Sequence, residues 1–319
     1  MASFKLMKLP LLIQRLVIIL LEIDQAIALT TTCKRFRNMF KLAKVEVDSV
    51  EFFLDTEYHV TVSCGEESLR MSLCEGLDAN IIEMKNGDDI SETTIYWKCE
   101  STESQLGVLE ELCDYLTSLL KIKSFDICFR NITNLQTLFL WKLAPKLNMI
   151  SFVFFNVSAE DLTFVLENVS CKHLRLNAET SLRKYSKPIK FEKVYISNSS
   201  FIDWENFTLH PDTKEFTAYL GNGNETMINS VFKSWLNGNN VNLEQLHFRT
   251  TSFPGMNVEM VKDGITKVSN PLISQNWIDE HVVGGSHDFC EEISRPSDGR
   301  RAILALHSLK AELYVFPAQ

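Results

Sequence analysis

The chain has few of the residues that mark fibrous or low-complexity proteins. Its 319 residues include only 12 glycines and 8 prolines, which excludes collagen-like and Gly/Pro-rich sequences. Apolar residues make up 45% and charged residues 23%, the usual mixture of a globular protein and not of a disordered one. We therefore expect one or two domains with a sizeable buried core.

Positive charge is in the minority, because 32 lysines and arginines face 41 aspartates and glutamates and the net charge is −9. Phosphate contacts need clustered positive charge, so nucleic acid is not expected as a partner.

Long apolar runs are also absent. The uninterrupted run near the start covers only residues 16–21. It is shorter than the apolar core of about 7–15 residues in a signal peptide and much shorter than the ~20 residues of a membrane span. We expect neither export nor membrane insertion.

None of the eight cysteines belongs to a C-x-x-C pair, so no structural zinc site is expected. Their scatter along apolar stretches is typical of free thiols in a reducing compartment, here the cytoplasm or nucleus. An alternative is a secreted or lumenal repeat glycoprotein that binds a ligand, because six N-x-S/T triplets are present. The triplets begin at Asn131, Asn156, Asn168, Asn198, Asn206 and Asn224.

Signals for catalysis are missing as well. The sequence contains no G-x-S-x-G nucleophile elbow. The potential metal ligands His281, His287, Cys290 and Glu291 have a spacing that matches no common site and favours a solvated loop. The sequence thus predicts a protein that is not an enzyme and that needs no metal or cofactor.

The first forty residues predict a small helical module. Pro10 suits the first turn of a helix, and Leu12, Leu16, Ile19 and Ile23 recur at helical spacing. Asp24 is expected to cap a second helix over residues 25–29, and a basic third helix is expected over 34–41. The first helix is apolar all round, and so small a module cannot bury it alone. A partner or the next domain should cover it.

This order of features resembles an F-box. Leu9-Pro10, the apolar helix, the acidic turn at 22–24, Leu29 and Cys33-Lys34-Arg35-Phe36 follow the pattern L-P, helix, D, L-x-x-x-C-K/R-x-F. The resemblance covers about residues 4–42 and is strongest to nematode F-boxes, since Leu11-Leu12-Ile13 replaces the acidic residue common after Leu-Pro. The alternative is an ordinary helical hairpin packed on the main domain.

The resemblance implies that residues 1–44 dock on a Skp-type adaptor, and through it on the cullin of a ubiquitin ligase. The implied contacts and supports are Leu9, Pro10, Leu12, Leu16, Ile19, Ile23, Leu29 and Phe36.

The remaining chain predicts an α/β fold in two parts. Alternating residues near Val45, Val60 and Ile95 indicate a β-rich connector over 45–104. From 105 to 319, helices alternate with strands that start near 125, 150, 174, 194, 216 and 246. Helices are expected over 106–120 and 135–143, and after a Ser158–Asp161 cap.

The spacing of about 20–30 residues predicts a degenerate leucine-rich-repeat-like α/β solenoid. The competing fold is an open parallel α/β sheet, but polar residues inside the L-x-L strands favour the solenoid.

A second resemblance covers about residues 185–310. Residues 231–238, the segment Asn242-Leu243-Glu244 and the pattern Arg295-x-x-Asp298-Gly299 are similar to the nematode F-box-associated domain. Physically, Trp235 is expected in the core, Gly238 at a helix C-cap and Asp298-Gly299 in a hairpin turn.

These features together predict a non-enzymatic substrate adaptor of a Skp–cullin–F-box ubiquitin ligase, which holds an unidentified target protein. Aligning the strands places Asp126, Ser151, Arg175, Tyr195, Thr217 and His247 in one row, and Cys128, Val153, Asn177, Ser197, Tyr219 and Arg249 in the next. Arginine and tyrosine are enriched in binding hot spots. The predicted target-binding residues are Arg175, Tyr195, Tyr219, His247 and Arg249; the alternatives are an ordinary solvated sheet face and a target site in the loops around 255–300.

Overall fold

The computed structural model describes residues 9–75, 81–86, 91–99, 105–132, 134–221, 224–250, 255–269, 271–272, 278 and 288–317. The chain divides into two compact units, one formed by Met1–Ile132 with Thr137–Ile150 and the other by Thr133–Gln136 with Ser151–Gln319. Both contain helices and strands, so the predicted mixed α/β class is confirmed.

The first unit begins with three helices, α1 (Leu11–Ile19), α2 (Ile23–Thr32) and α3 (Lys34–Ala43). The predicted cap at Asp24 is wrong, because α2 already begins at Ile23 and Asp24 lies in its first turn. A distant carboxylate takes over the capping role: the Ile23 amide donates to Oε2 of Glu67 over 3.2 Å. Sequence-local rules do not detect a cap from 44 positions away.

One sheet and one long helix complete this unit. The elements are β1 (Glu46–Leu54), β2 (His59–Cys64), β3 (Glu67–Glu75), β4 (Ile81–Asn86), β5 (Ser91–Cys99), α4 (Gln105–Leu119) and β6 (Lys121–Phe129). The strand order is β6-β1-β2-β3-β5-β4. β1 pairs with β6 in parallel and with β2 antiparallel. The strands predicted near 45, 60, 95 and 125 and the helix predicted over 106–120 are confirmed.

The prediction of an α-helix over 135–143 is wrong, because this segment is helical but of the 3-10 type. Residues 135–146 form two 3-10 helices, Leu135–Thr137 and Phe139–Lys146. Pro145 lies inside the second one. Proline cannot donate an α-helical hydrogen bond and its ring clashes with the preceding turn, which favours the shorter, tighter helix.

The second unit holds most of β7 (Leu147–Val157) and all later elements. These are α5 (Ala159–Asn168), β8 (His173–Thr180), β9 (Lys193–Ile196), β10 (Glu215–Leu220), α6 (Glu225–Leu236), β11 (Gln245–Thr250), α7 (Val258–Lys262), β12 (Phe289–Ser294), β13 (Arg301–His307) and β14 (Lys310–Val315). The predicted strands near 150, 174, 194, 216 and 246 are confirmed. The predicted cap is confirmed too, since the Ser158 hydroxyl accepts from the Asp161 amide over 3.0 Å.

The strands from β7 to β11 lie side by side in chain order, followed by β14, β13 and β12. The pairs from β8 to β11 are parallel, whereas β14 pairs antiparallel with both β11 and β13. Alternate residues such as Leu174, Leu176 and Phe216 are buried. The residues between them stay accessible on the opposite face of β8–β10.

Trp235 and Arg295 anchor the end of α6 against the β12–β13 hairpin. Both side chains are buried, and the Arg295 guanidinium lies 5.2 Å from the centroid of the Trp235 ring. Arg295 also binds Asp298 through two hydrogen bonds of 2.9 and 2.5 Å. Gly238 has φ +94°, and α6 ends in a Schellman motif, with Gly238 and the next residue donating to the carbonyls of Trp235 and Ser234. The expected core, C-cap and turn roles are confirmed.

Gly255 lies close to the backbone of Ser308, and a substitution there tests this contact. It has φ +89°, and a Cβ placed on it would lie 2.5 Å from the Ser308 carbonyl oxygen. Because that neighbour is backbone, we expect Gly255→Ala to lower the free energy of unfolding by about 1–3 kcal/mol. Gly107→Ala is the matched control. Gly107 lies in α4, and a Cβ placed on it would meet no neighbouring atom within 4 Å. This substitution should raise the free energy of unfolding by roughly 0.5–1 kcal/mol. Urea unfolding of both variants checks the pair, and equal stability changes would contradict the geometry.

Candidate binding surfaces

Helix α1 leaves most of its apolar side chains uncovered. Leu12 is 66% exposed and Leu20 is 84% exposed, while Ile18 on the other side is buried. We call the exposed set the α1 apolar surface; it consists of Leu11, Leu12, Ile13, Leu16, Ile19 and Leu20. So many exposed large apolar side chains on one short helix are typical of a binding surface.

Helices α2 and α3, by contrast, are fixed to the rest of their unit. The hydroxyls of Thr30 and Tyr115 lie 2.5 Å apart, and Arg37 donates to the Thr30 carbonyl over 3.0 Å. The Arg37 guanidinium also lies 5.1 Å from the centroid of the Tyr115 ring. The helical module is therefore held at one side by α4, and this side cannot serve as a docking surface.

The residues implied in adaptor binding fall into a buried group and an exposed group. Ile23 and Phe36 are buried, so they can act only as supports. Leu9 is half-buried, and the other members are exposed: Pro10, Leu12, Leu16, Ile19 and Leu29.

A second surface lies on the sheet of the second unit. The predicted row is confirmed in part, because Arg175 pairs with Tyr195, Tyr195 with Thr217 and Thr217 with His247. Ser151 does not belong to this open row. It is buried between two buried neighbours, so β7 is covered on both faces at this point, which an alternating pattern does not predict.

Four side chains on this face form a continuous row of contacts, which we call the tyrosine–arginine ladder: Arg175, Tyr195, Tyr219 and Arg249. The Arg175 guanidinium lies 5.5 Å from the Tyr195 ring, the two tyrosine rings are 5.9 Å apart, and the Arg249 guanidinium lies 5.9 Å from the Tyr219 ring. Arginine above an aromatic face is favourable and pre-orients both partners. The ladder runs across β8, β9, β10 and β11.

Hydrogen bonds within the ladder shift the pKa values of its two tyrosines in opposite directions. Burial by itself raises the pKa of Tyr219, but hydrogen bonds from Tyr195 and Arg249 outweigh it, so this pKa lies below the ordinary tyrosine value. Burial and the Tyr219 hydroxyl raise the pKa of Tyr195. Arg249 donates to the Tyr219 hydroxyl over 3.4 Å. The hydroxyl of Tyr219 therefore acts as an acceptor from both neighbours.

His247 lies at the border of this face and is only partly accessible. Its ring packs against Tyr314 with centroids 5.1 Å apart. Burial lowers the pKa of His247, which favours the neutral imidazole. Its Nε2 is buried and has no hydrogen-bond partner among the described residues.

The predicted target residues do not include the most exposed aromatic side chain of the face. Phe154 in β7 is 83% exposed and has φ +56°, a left-handed conformation that costs a non-glycine residue roughly 1–2 kcal/mol. It borders a cavity of about 430 Å³ whose lining includes Asn156, Asn177 and Glu179. An exposed apolar ring on a strained backbone contributes little to folding, which makes Phe154 a candidate binding residue. The sequence gives no signal for it, because such a backbone is usually marked by Gly or Asn.

All eight cysteines are free thiols, and burial raises the pKa of Cys113 to about 12. His281 and His287, and parts of the alternative loop site at 273–277 and 279–287, lie outside the described residues. Among the described residues, no helix has both the length and the apolar character needed to span a membrane.

Comparisons with protein-family models, with curated proteins and with solved structures found no match for this chain.

Proposed function

We propose that the chain is a non-enzymatic substrate adaptor of a Skp–cullin–F-box ubiquitin ligase, with residues 1–44 as its F-box. The observation that carries this proposal is the α1 apolar surface, six large apolar side chains that the described part of the chain leaves exposed. Covering a half-exposed leucine or isoleucine yields about 1 kcal/mol. Six such side chains would contribute about 6 kcal/mol, a substantial part of the driving force that an interface needs to offset the cost of association.

The second unit supports the other half of the proposal, in which it is a degenerate leucine-rich-repeat-like solenoid with an F-box-associated region. Strands β7–β11 follow chain order, as they do when each repeat packs on the preceding one. The Trp235–Arg295–Asp298 cluster joins the two segments that carry the resemblance to the F-box-associated domain.

The mechanism would be proximity. The adaptor holds the target beside the ubiquitin-conjugating enzyme and so raises the effective concentration of the target's lysines. This role needs no catalytic residue in the chain itself. It also fits the cytoplasm or nucleus, where free thiols stay reduced.

Titration of the full chain with a purified Skp-type adaptor tests the proposal. We expect a 1:1 complex and, in hydrogen exchange, new protection of residues 11–20 but not of β8–β11. An absence of binding at tens of micromolar would reject the adaptor role. Protection confined to another part of the chain would reject α1 as the docking element.

The target-binding face has its own test. We expect Arg175→Ala with Tyr195→Ala to reduce capture of target proteins at least tenfold, since it removes half of the tyrosine–arginine ladder. Adaptor binding and thermal stability should change little, because Arg175 is exposed and Tyr195 is half-buried. Quantitative proximity labelling in cells compares the double variant with wild type. An unchanged set of captured proteins would exclude this face as the target site.

A further inference from the structure

The two arginines of the ladder place two positive charges on this face. Among the described residues, neither Arg175 nor Arg249 forms an ion pair with a carboxylate, and Nε of Arg249 is buried without a hydrogen-bond partner. The carboxylate nearest in register, Glu312, lies opposite His247 in β14 and pairs with Lys310 over 3.3 Å; it favours the charged form of Arg249 only through space, without an ion pair. In a protein with a net charge of −9, two guanidiniums on one face that have no ion-pair partner among the described residues can donate to an anionic group.

The cavity beside Phe154 supplies the other half of a peptide site. Its lining combines the rings of Phe154 and Phe155 with the amides of Asn156 and Asn177. Side-chain amides can donate to and accept from a peptide backbone at once, and an exposed ring offers contact area for an apolar side chain. Asn177 follows Arg175 on the same accessible face of β8, so the cavity and the ladder are neighbours on one surface.

We propose that this surface binds an extended acidic peptide segment, whose carboxylates contact Arg175 and Arg249 and whose apolar side chain packs on Phe154. The inference rests on the proposed adaptor function and names the chemistry of its target. Glu179 also lines the cavity and repels acidic residues there, so the acidic part of the peptide lies over the ladder.

The geometry sets the spacing of the acidic residues. Arg175 is on β8 and Arg249 on β11, three strand spacings apart and offset by two residues along the strands, which places the two backbone positions about 16 Å apart. An extended peptide rises roughly 3.3 Å per residue. Two acidic residues three to five positions apart therefore reach both guanidiniums, whereas two adjacent ones reach only one.

Selection from a random twelve-residue phage-displayed library on the immobilised full chain tests the proposal. We expect enrichment of peptides with two acidic residues three to five positions apart and an apolar residue to one side. A synthetic peptide of the selected sequence should lose at least tenfold in affinity when its glutamates become glutamines. No enrichment, or enrichment of peptides without acidic residues, would overturn the proposal, as would binding of a phosphoserine version alone.

Variants of the chain assign the contacts. Arg175→Gln with Arg249→Gln should weaken the selected peptide at least tenfold, while Arg183→Gln, an exposed arginine outside the ladder, should not. Phe154→Asn should also weaken the peptide, yet leave the melting temperature unchanged or higher, because asparagine tolerates the left-handed backbone. Unchanged peptide affinity in the ladder variant, or a lower melting temperature in Phe154→Asn, would overturn the assignment. Selection uses the chain without the adaptor, so its result is independent of whether the adaptor binds.

Discussion

Leu12→Asp combined with Leu16→Asp is expected to weaken binding to a Skp-type adaptor at least 100-fold, with almost no change in the thermal stability of the free chain. Both side chains are at least half exposed in the free protein, so folding gains little from them. In the complex, each new carboxylate would have to enter an apolar interface without a partner, which costs several kcal/mol per charge. Isothermal titration calorimetry measures the affinity, and differential scanning calorimetry measures the stability.

The chain offers a matched control for this experiment. Leu272 is 66% exposed, as Leu12 is, but it belongs to the second unit. Leu272→Asp makes the same chemical change at the same exposure and should leave adaptor binding intact. Equal losses for Leu12→Asp and Leu272→Asp would show that surface charge in general, and not α1, determines the affinity.

The largest loss of stability is expected for Trp235→Ala. Trp235 is almost fully buried and stacks on Arg295, itself only 1% exposed. Removing the ring leaves a large cavity and an arginine without its aromatic neighbour, so the free energy of unfolding should fall by about 3–5 kcal/mol. Urea unfolding followed by circular dichroism gives the value.

Trp204→Ala serves as the comparison. Trp204 also packs on aromatic neighbours, at 4.8 Å from Phe207 and 6.0 Å from Phe248 between ring centroids, but it is only half-buried. Its loss should cost roughly half as much. If both variants lose the same stability, Trp235 is not the anchor that its burial indicates.

The elements that the sequence predicted well are those with local signals. The strands at 174, 194, 216 and 246 alternate between buried and accessible residues, and Ser158 caps its helix through a bond to Asp161 three positions away. Gly238 at the end of α6 follows the same logic, since glycine is the common choice for that backbone conformation.

The features that the sequence failed to predict depend on long-range contacts or on an unusual backbone conformation. The start of α2 depends on Glu67, 44 positions from Ile23. Ser151 is buried by tertiary packing that an alternating pattern cannot reveal. Phe154 adopts its positive φ although nothing in the residue type favours it. Phe154 lines the candidate peptide cavity, so this cavity depends on a position in β7 where local propensity predicts the wrong backbone conformation.

The position of β14 has a consequence for how the protein is made. This strand occupies the space between β11 and β13, although it follows both of them in the chain. During translation, β11 therefore presents an open hydrogen-bonding edge until residues 310–315 have left the ribosome. A nonsense mutation between codons 251 and 309 would leave that edge permanently unpaired, and unpaired edges promote aggregation. Late truncations of this gene product should consequently be cleared by protein quality control as readily as early ones.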